Sequence, residues 1–207
     1  MPSIDQISRQ RAEIYRWFSV FFAQELKQEQ IDVLQQPSTV QHLLALKLTP
    51  PLEQPVSQFQ GFLNQALKRL DNQLELAADY GTLFLMPPPE GVLLYAGYYP
   101  PNTPQDSRLA MWEYLRYIGY TCSQNEPPDH LAIQLEVLAT LITTEPPLAQ
   151  LNFIQQRLLN WLPLFERRCQ QQDKFGFYSS LSSLLVAFIQ QDIILLDEWV
   201  SLEAPCQ

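Results

Sequence analysis

An all-α fold is predicted for this 207-residue chain by three features of its sequence. Apolar residues recur at spacings of three, four and seven along most of its length, glycine is scarce at 6 residues, and helix-forming Leu, Gln, Ala and Glu outweigh strand formers. The first feature is the mark of amphipathic helices, and the others describe a chain poor in tight turns and rich in side chains that lose little freedom in a helix. An apolar content of 46% is enough to bury a core in one large domain or two small ones.

The elements follow in order. Ile7, Ile14, Tyr15, Phe18, Phe21, Phe22 and Leu26 share one stripe of a long first helix. A shorter segment with Ile31 and Leu34 stops before Pro37, and Ser38 with Gln41 has the form of a capping box opening a third helix that ends near Leu48. Thr49-Pro50-Pro51 and Pro55 read as a stiff connection, after which Phe59, Phe62, Leu63, Ala66, Leu67 and Leu70 resume helical spacing. Leu74, Ala77, Ala78, Leu83 and Phe84 mark a separate or bent helix.

From Met86 to Pro104 the period dissolves among prolines, leaving Leu93, Leu94, Tyr95, Tyr98 and Tyr99 in a long loop. Loops of that length are uncommon in compact domains, so this one either covers the end of a bundle or carries function. Asp106 or Ser107 is the expected cap of a helix through Leu109, Trp112, Leu115 and Ile118, with Gly119 at its C-terminal end. Pro127 and Pro128 fit the first turn of a helix containing Leu131, Leu135, Leu138 and Ile142, which Glu145-Pro146-Pro147 ends. One helix through Leu151, Ile154, Leu158 and Trp161 and a short one from Pro163 come next. Asp173 is the expected cap of the last strong helix, with Phe177, Leu181, Leu184, Leu185 and Phe188 inside, and nothing specifies where residues 193–207 dock. The architecture expected is a multi-helix bundle of two helical units: residues 1–122, a proline-containing hinge at 123–128, and residues 129–207.

Several function classes are disfavoured. A net charge of -9 repels a phosphate backbone and argues against nucleic acid, while a basic partner is attracted. No run of about 18 uncharged apolar residues predicts membrane insertion, and Met1-Pro2-Ser3-Ile4-Asp5 lacks the basic and apolar regions of a signal peptide, so a cytoplasmic location is expected. Three scattered cysteines offer neither a disulfide framework nor a zinc spacing, and His42 is remote from His130, so no metal is expected. There is no glycine-rich phosphate loop, HExxH or GxSxG, and the chain is expected not to be an enzyme.

Two polar clusters stand out. In Asn125-Glu126-Pro127-Pro128-Asp129-His130-Leu131-Ala132 the residues read either as a helix start, with Asp129 near the positive end of the dipole, or as two carboxylates and an imidazole able to hold a cationic group. Glu75, Asp79 and Tyr80 read either as a solvated helix edge or as a carboxylate beside the apolar stripe that ends at Phe84.

Three blocks are similar, in order and spacing, to the TorD branch of the TorD/DmsD/NarJ family of molybdoenzyme maturation chaperones. They are Leu74 to Leu85 (LELAADYGTLFL), Asn125 to Leu135, and Trp161-Leu162-Pro163 together with Asp173-Lys174-Phe175-Gly176-Phe177-Tyr178. The resemblance implies an all-helical cytoplasmic chaperone. Its partner would be an apo-molybdoenzyme precursor, trimethylamine N-oxide reductase in this branch, bound by its twin-arginine leader and its unfinished body before molybdenum cofactor insertion and export. It places the family's leader-recognition acid and histidine on Asp129 and His130, beside Glu126, and an acid-aromatic-x-x-Leu-Phe step on Asp79, Tyr80, Leu83 and Phe84. In the loop a Pro-Tyr-Ala-Ser-x-Tyr pattern meets Leu94-Tyr95-Ala96-Gly97-Tyr98-Tyr99, so only Tyr95 and Tyr99 carry over. Some family members are associated with guanine nucleotide; without a phosphate cradle such binding is expected to be weak and regulatory here, and no other cofactor is expected. The hinge permits a domain-swapped homodimer beside the monomer. A receptor for a basic and then apolar leader needs exposed carboxylates next to an apolar groove.

Overall fold

A computed structural model describes residues 3–120 and 126–203. The fold is all-α: ten helices and no strand occur among the described residues. They are α1 (Ile4–Ala23), α2 (Gln28–Leu34), α3 (Pro37–Lys47), α4 (Glu53–Leu67), α5 (Asn72–Tyr80), α6 (Pro104–Tyr117), α7 (Leu131–Thr144), α8 (Pro147–Phe153), α9 (Leu162–Gln172) and α10 (Phe177–Glu203). π-helical turns extend α5 through Gly81–Leu85 and α8 through Ile154–Leu158.

The chain forms two compact units, each assembled from separate stretches: Met1–Ala23, Leu94–Pro163 and Asp192–Gln207 make the first, Gln24–Leu93 and Leu164–Gln191 the second. Of segment 123–128, expected to divide sequential units, residues 126–128 fall within the first unit, and residues 123–125 are outside the described range.

In the first unit α1 packs along α7. Tyr15, Phe18, Phe21 and Phe22 of α1 are buried, and nine of the fourteen residues of α7 are buried around its circumference, as in a central core helix. Residues 194–203, undefined by sequence, continue α10 and bury Leu196 and Trp199. Residues 177–202 are long and apolar enough to cross a membrane by length and composition, yet over half of the most apolar stretch is buried inside the protein. Asp192, midway along α10, is held by the Arg11 guanidinium, the Tyr15 hydroxyl donates to it at 2.8 Å, and Arg11 also donates to Gln150 at 2.9 Å. A buried aspartate so compensated is an anchor of a protein core.

In the second unit α3 packs on α4, and Phe59 of α4 meets Phe177 at 5.7 Å between ring centroids. Asp173 caps the start of α10 as expected, accepting from the backbone N–H groups of Phe175, Gly176 and Ser179 at 2.9, 3.0 and 2.8 Å.

Several expected caps fall elsewhere. Helix α3 begins at Pro37 behind Gln36, so Ser38 lies inside it and the Ser38/Gln41 box does not form; proline suits this first turn because it has no N–H to leave unpaired. Pro55 likewise sits within the first turn of α4, and Leu70 lies beyond that helix's end, almost fully exposed. Thr103, rather than Asp106 or Ser107, caps α6 by accepting from the Asp106 N–H. Gly119 follows α6 with φ +70°, a backbone conformation that favours glycine.

Candidate functional site

The expected site residues fall into two clusters, one in each unit. In the first unit the loop around Tyr95 and the segment before α7, some thirty residues apart in sequence, are joined by backbone. Ala96 donates to the Asp129 carbonyl at 3.1 Å and Leu131 donates to the Leu94 carbonyl at 2.7 Å, so Tyr95 and His130 face each other in an isolated antiparallel bridge. This pairing sets where α7 starts. His130, extended, is its N-cap, with Nδ1 accepting from the Ala132 N–H at 3.1 Å, while Pro127 and Pro128 precede the helix instead of entering its first turn.

Side chains tighten the junction. Asp129 is wholly buried, and its Oδ2 accepts from the Gly97 N–H at 3.0 Å, while Arg108 Nε of α6 approaches Oδ1 at 3.4 Å. A Cβ on Gly97 would lie 2.8 Å from the Pro104 nitrogen and 3.0 Å from Asp129 Oδ2, so only glycine lets the backbone come this close. The Tyr95 hydroxyl donates to Glu126 at 2.9 Å, and its ring meets the His130 ring edge-on at 5.0 Å. Burial, then the Glu126 hydrogen bond, pushes the Tyr95 phenol up to about 12. Burial pulls the His130 imidazole down to about 4, against the opposing pull of Asp129, so His130 is neutral near pH 7. Of this cluster Glu126 and Tyr95 are part-exposed, with the half-exposed Tyr98 ring beside Tyr95. Tyr99 is core: it is fully buried against Trp161 at 5.1 Å.

In the second unit Asp79, Tyr80, Leu83 and Phe84 are all buried, at 5% exposure or less. The π-helical turn after Tyr80 shifts the helical register by one residue, and such turns recur at functional sites. Tyr80 and Phe84 pack edge-on against Tyr178, and Phe84 stacks on Phe165. Asp79 is paired with the Arg69 guanidinium, which also reaches Glu75 at 3.5 Å and lies over the Phe175 ring at 4.9 Å. Burial raises the Asp79 carboxyl above the ordinary carboxylate range although Arg69 works to lower it.

Asp79 is therefore not the solvated edge that spacing allowed, and neither aspartate is an open carboxylate beside a groove: each is buried and already holds an arginine. Arg69, Arg108, Gly97 and Tyr178 were not singled out by sequence. Asp79 and Asp129 lie ten and twenty-one residues from their arginines, beyond the three- and four-residue spacings that a helix makes visible. Among the described residues no group of carboxylate, histidine and cysteine side chains is arranged to hold a metal.

Comparison with known proteins gives one consistent result. The sequence pattern of the nitrate reductase delta subunit family matches residues 46–167. Chaperone protein TorD of Salmonella bongori is 38% identical over 192 residues, 92% of this chain and 92% of its own. The proteins of the same name from Photobacterium profundum and Vibrio vulnificus are 38% and 39% identical, over 95% and 93% of this chain and 98% and 97% of theirs.

Proposed function

Because this chain belongs to the nitrate reductase delta subunit family, with TorD chaperones as its relatives, we propose that it is a cytoplasmic maturation chaperone for a molybdoenzyme precursor. It binds the precursor's twin-arginine leader and apo body, keeps the client from premature export or proteolysis, and holds it ready for cofactor insertion. Trimethylamine N-oxide reductase is the client. The observation that carries this reading is identity of 38–39% to chaperones over more than nine-tenths of both chains.

The geometry supports it in kind. In the second unit Asp79 is set against the Arg69 guanidinium, which lies over the Phe175 ring, the chemistry with which a protein holds arginine. In the first unit the part-exposed Glu126 carboxylate and the Tyr95 and Tyr98 rings offer an incoming basic segment a charge and apolar faces at one rim. Asp129 and His130 act as positioning residues, fixing the Tyr95 loop on α7. The mechanism is binding, with no covalent step. An extended leader loses conformational entropy on docking, so the leader alone binds modestly and the apo body, as a second contact, raises the affinity.

Titration calorimetry of the full chain with the leader peptide and with the intact apo precursor tests this. Measurable leader binding and tighter precursor binding are expected; no heat with either ligand removes the proposal.

A further inference from the structure

Helix α7 is buried around most of its circumference, and the seam it leaves part-exposed opens into a groove of about 210 Å³ in the first unit. Ile133, Glu136 and Val137 line it from α7, where spacings of three and four put them on one face. Ala23, the last residue of α1, and Ile118 and Tyr120, just past the end of α6, line the rest. Ala23 and Tyr120 are exposed, so the groove is open to an incoming chain.

Size and charge narrow what enters. Pockets that enclose whole small molecules run to about 300–1,000 Å³, so this groove has room for side chains inserted from a segment lying across it. Those side chains must be apolar, because the lining is mostly aliphatic. Among the described residues that line it, Glu136 alone is charged. Arg16 Nε comes no closer to it than 3.9 Å, and both side chains are about half exposed, a pairing that adds little stability and yields readily to another cation. The segment that fits therefore carries a basic residue next to apolar ones. A second copy of this chain, with the same net charge of -9, would bring like charges together here.

The position agrees with that occupant. His130 is the N-cap of α7 and is bridged to Tyr95, and Ile133 lies three residues further on. The groove thus begins at the same end of α7 as the rim formed by Glu126, Tyr95 and Tyr98. We propose that this groove seats the first apolar side chains of the client's leader, with the adjoining basic residue on Glu136 and the rest of the basic segment at the Glu126 rim. This rests on the reading of the chain as a leader-binding chaperone and adds to it where the apolar half of the leader docks.

The test uses the full chain and two synthetic peptides: Arg-Arg followed by a leucine-rich segment, and the same peptide with serine at each leucine. Wild type is expected to bind the leucine peptide at least roughly tenfold more tightly than the serine one. Ala23→Trp fills the groove from an exposed position, and Ile133→Ser removes part of its apolar wall; each is expected to weaken the leucine peptide roughly tenfold and leave the serine peptide unchanged. Glu136→Gln is expected to weaken both peptides by a few-fold and to reduce the salt dependence of binding. Equal leucine-peptide affinity in wild type and both groove variants overturns the groove and leaves the chaperone reading standing, as does a wild type that binds the intact precursor but neither peptide. A wild-type dimer that Ala23→Trp turns into a monomer in light scattering makes a second copy the occupant and likewise overturns it. Wild type that binds neither peptide nor precursor overturns both.

Discussion

Asp129→Ala tests the junction on which the first-unit site depends. The substitution removes the acceptor of the buried Gly97 N–H, leaving a donor with no room to reach water, which costs about 1–3 kcal/mol. It also removes a negative charge just before α7, worth about 0.3–1 kcal/mol. The Arg108 contact adds less than about 1 kcal/mol, because at 3.4 Å from a guanidinium two-fifths exposed it is largely screened. The sum is about 1–5 kcal/mol, or a fall in Tm of roughly 3–20 °C for a chain of this size. Calorimetric melting measures it, and Asp129→Asn, whose amide oxygen still accepts from Gly97, should lose less than half as much. Because the Tyr95 loop is held by the same residue, leader affinity should fall together with Tm. A Tm within about 1 °C of wild type for Asp129→Ala would show that Asp129 does not fix this loop, and the positioning role assigned to it would be wrong.

Other expectations follow from the same geometry. His130 is depressed to about 4 in the folded chain from an ordinary 6.5, so between these values the unfolded state binds the extra proton; stability present above about pH 6.5 declines as pH falls towards 4, by about 3 kcal/mol, and denaturant melts of His130→Gln across that window should lose this dependence. Asp192→Ala strands the Arg11 guanidinium in the core of the first unit, and the variant should lose about 3–5 kcal/mol, read as a lower urea midpoint; an unchanged midpoint would mean Arg11 finds water. A domain-swapped homodimer beside the monomer should show in light scattering after size exclusion as a second species at high protein concentration, and monomer alone at every concentration would end that proposal.

How much of this was legible beforehand varies with the kind of interaction. The stripe from Tyr15 to Phe22, the helix through Leu131 and Ile142, and the Asp173 cap depend on residues three to six apart, so the linear chain displays them directly. Cap positions shifted by a residue or more wherever a proline competed for the first turn, as at Pro37, or a distant strand-like contact claimed the start, as at His130. Of the expected site residues, Tyr95, Glu126, Asp129 and His130 do come together, with Asp129 and His130 buried, while Tyr99 and the four from Asp79 to Phe84 are buried apart from them, because apolar periodicity marks what faces a core and cannot say which side chain remains reachable.

The sequence by itself determined the helical class, most element positions and the family, since these rest on local periodicity and on short motifs. Only the tertiary structure decided that α10 runs unbroken to Glu203 and brings Asp192 to Arg11, that each unit draws on separate stretches of chain, and that both aspartates are buried with arginines of their own. Those outcomes follow from charge compensation and close packing between residues ten to nearly two hundred positions apart, and free energy of that kind has no period along the chain from which it could be read.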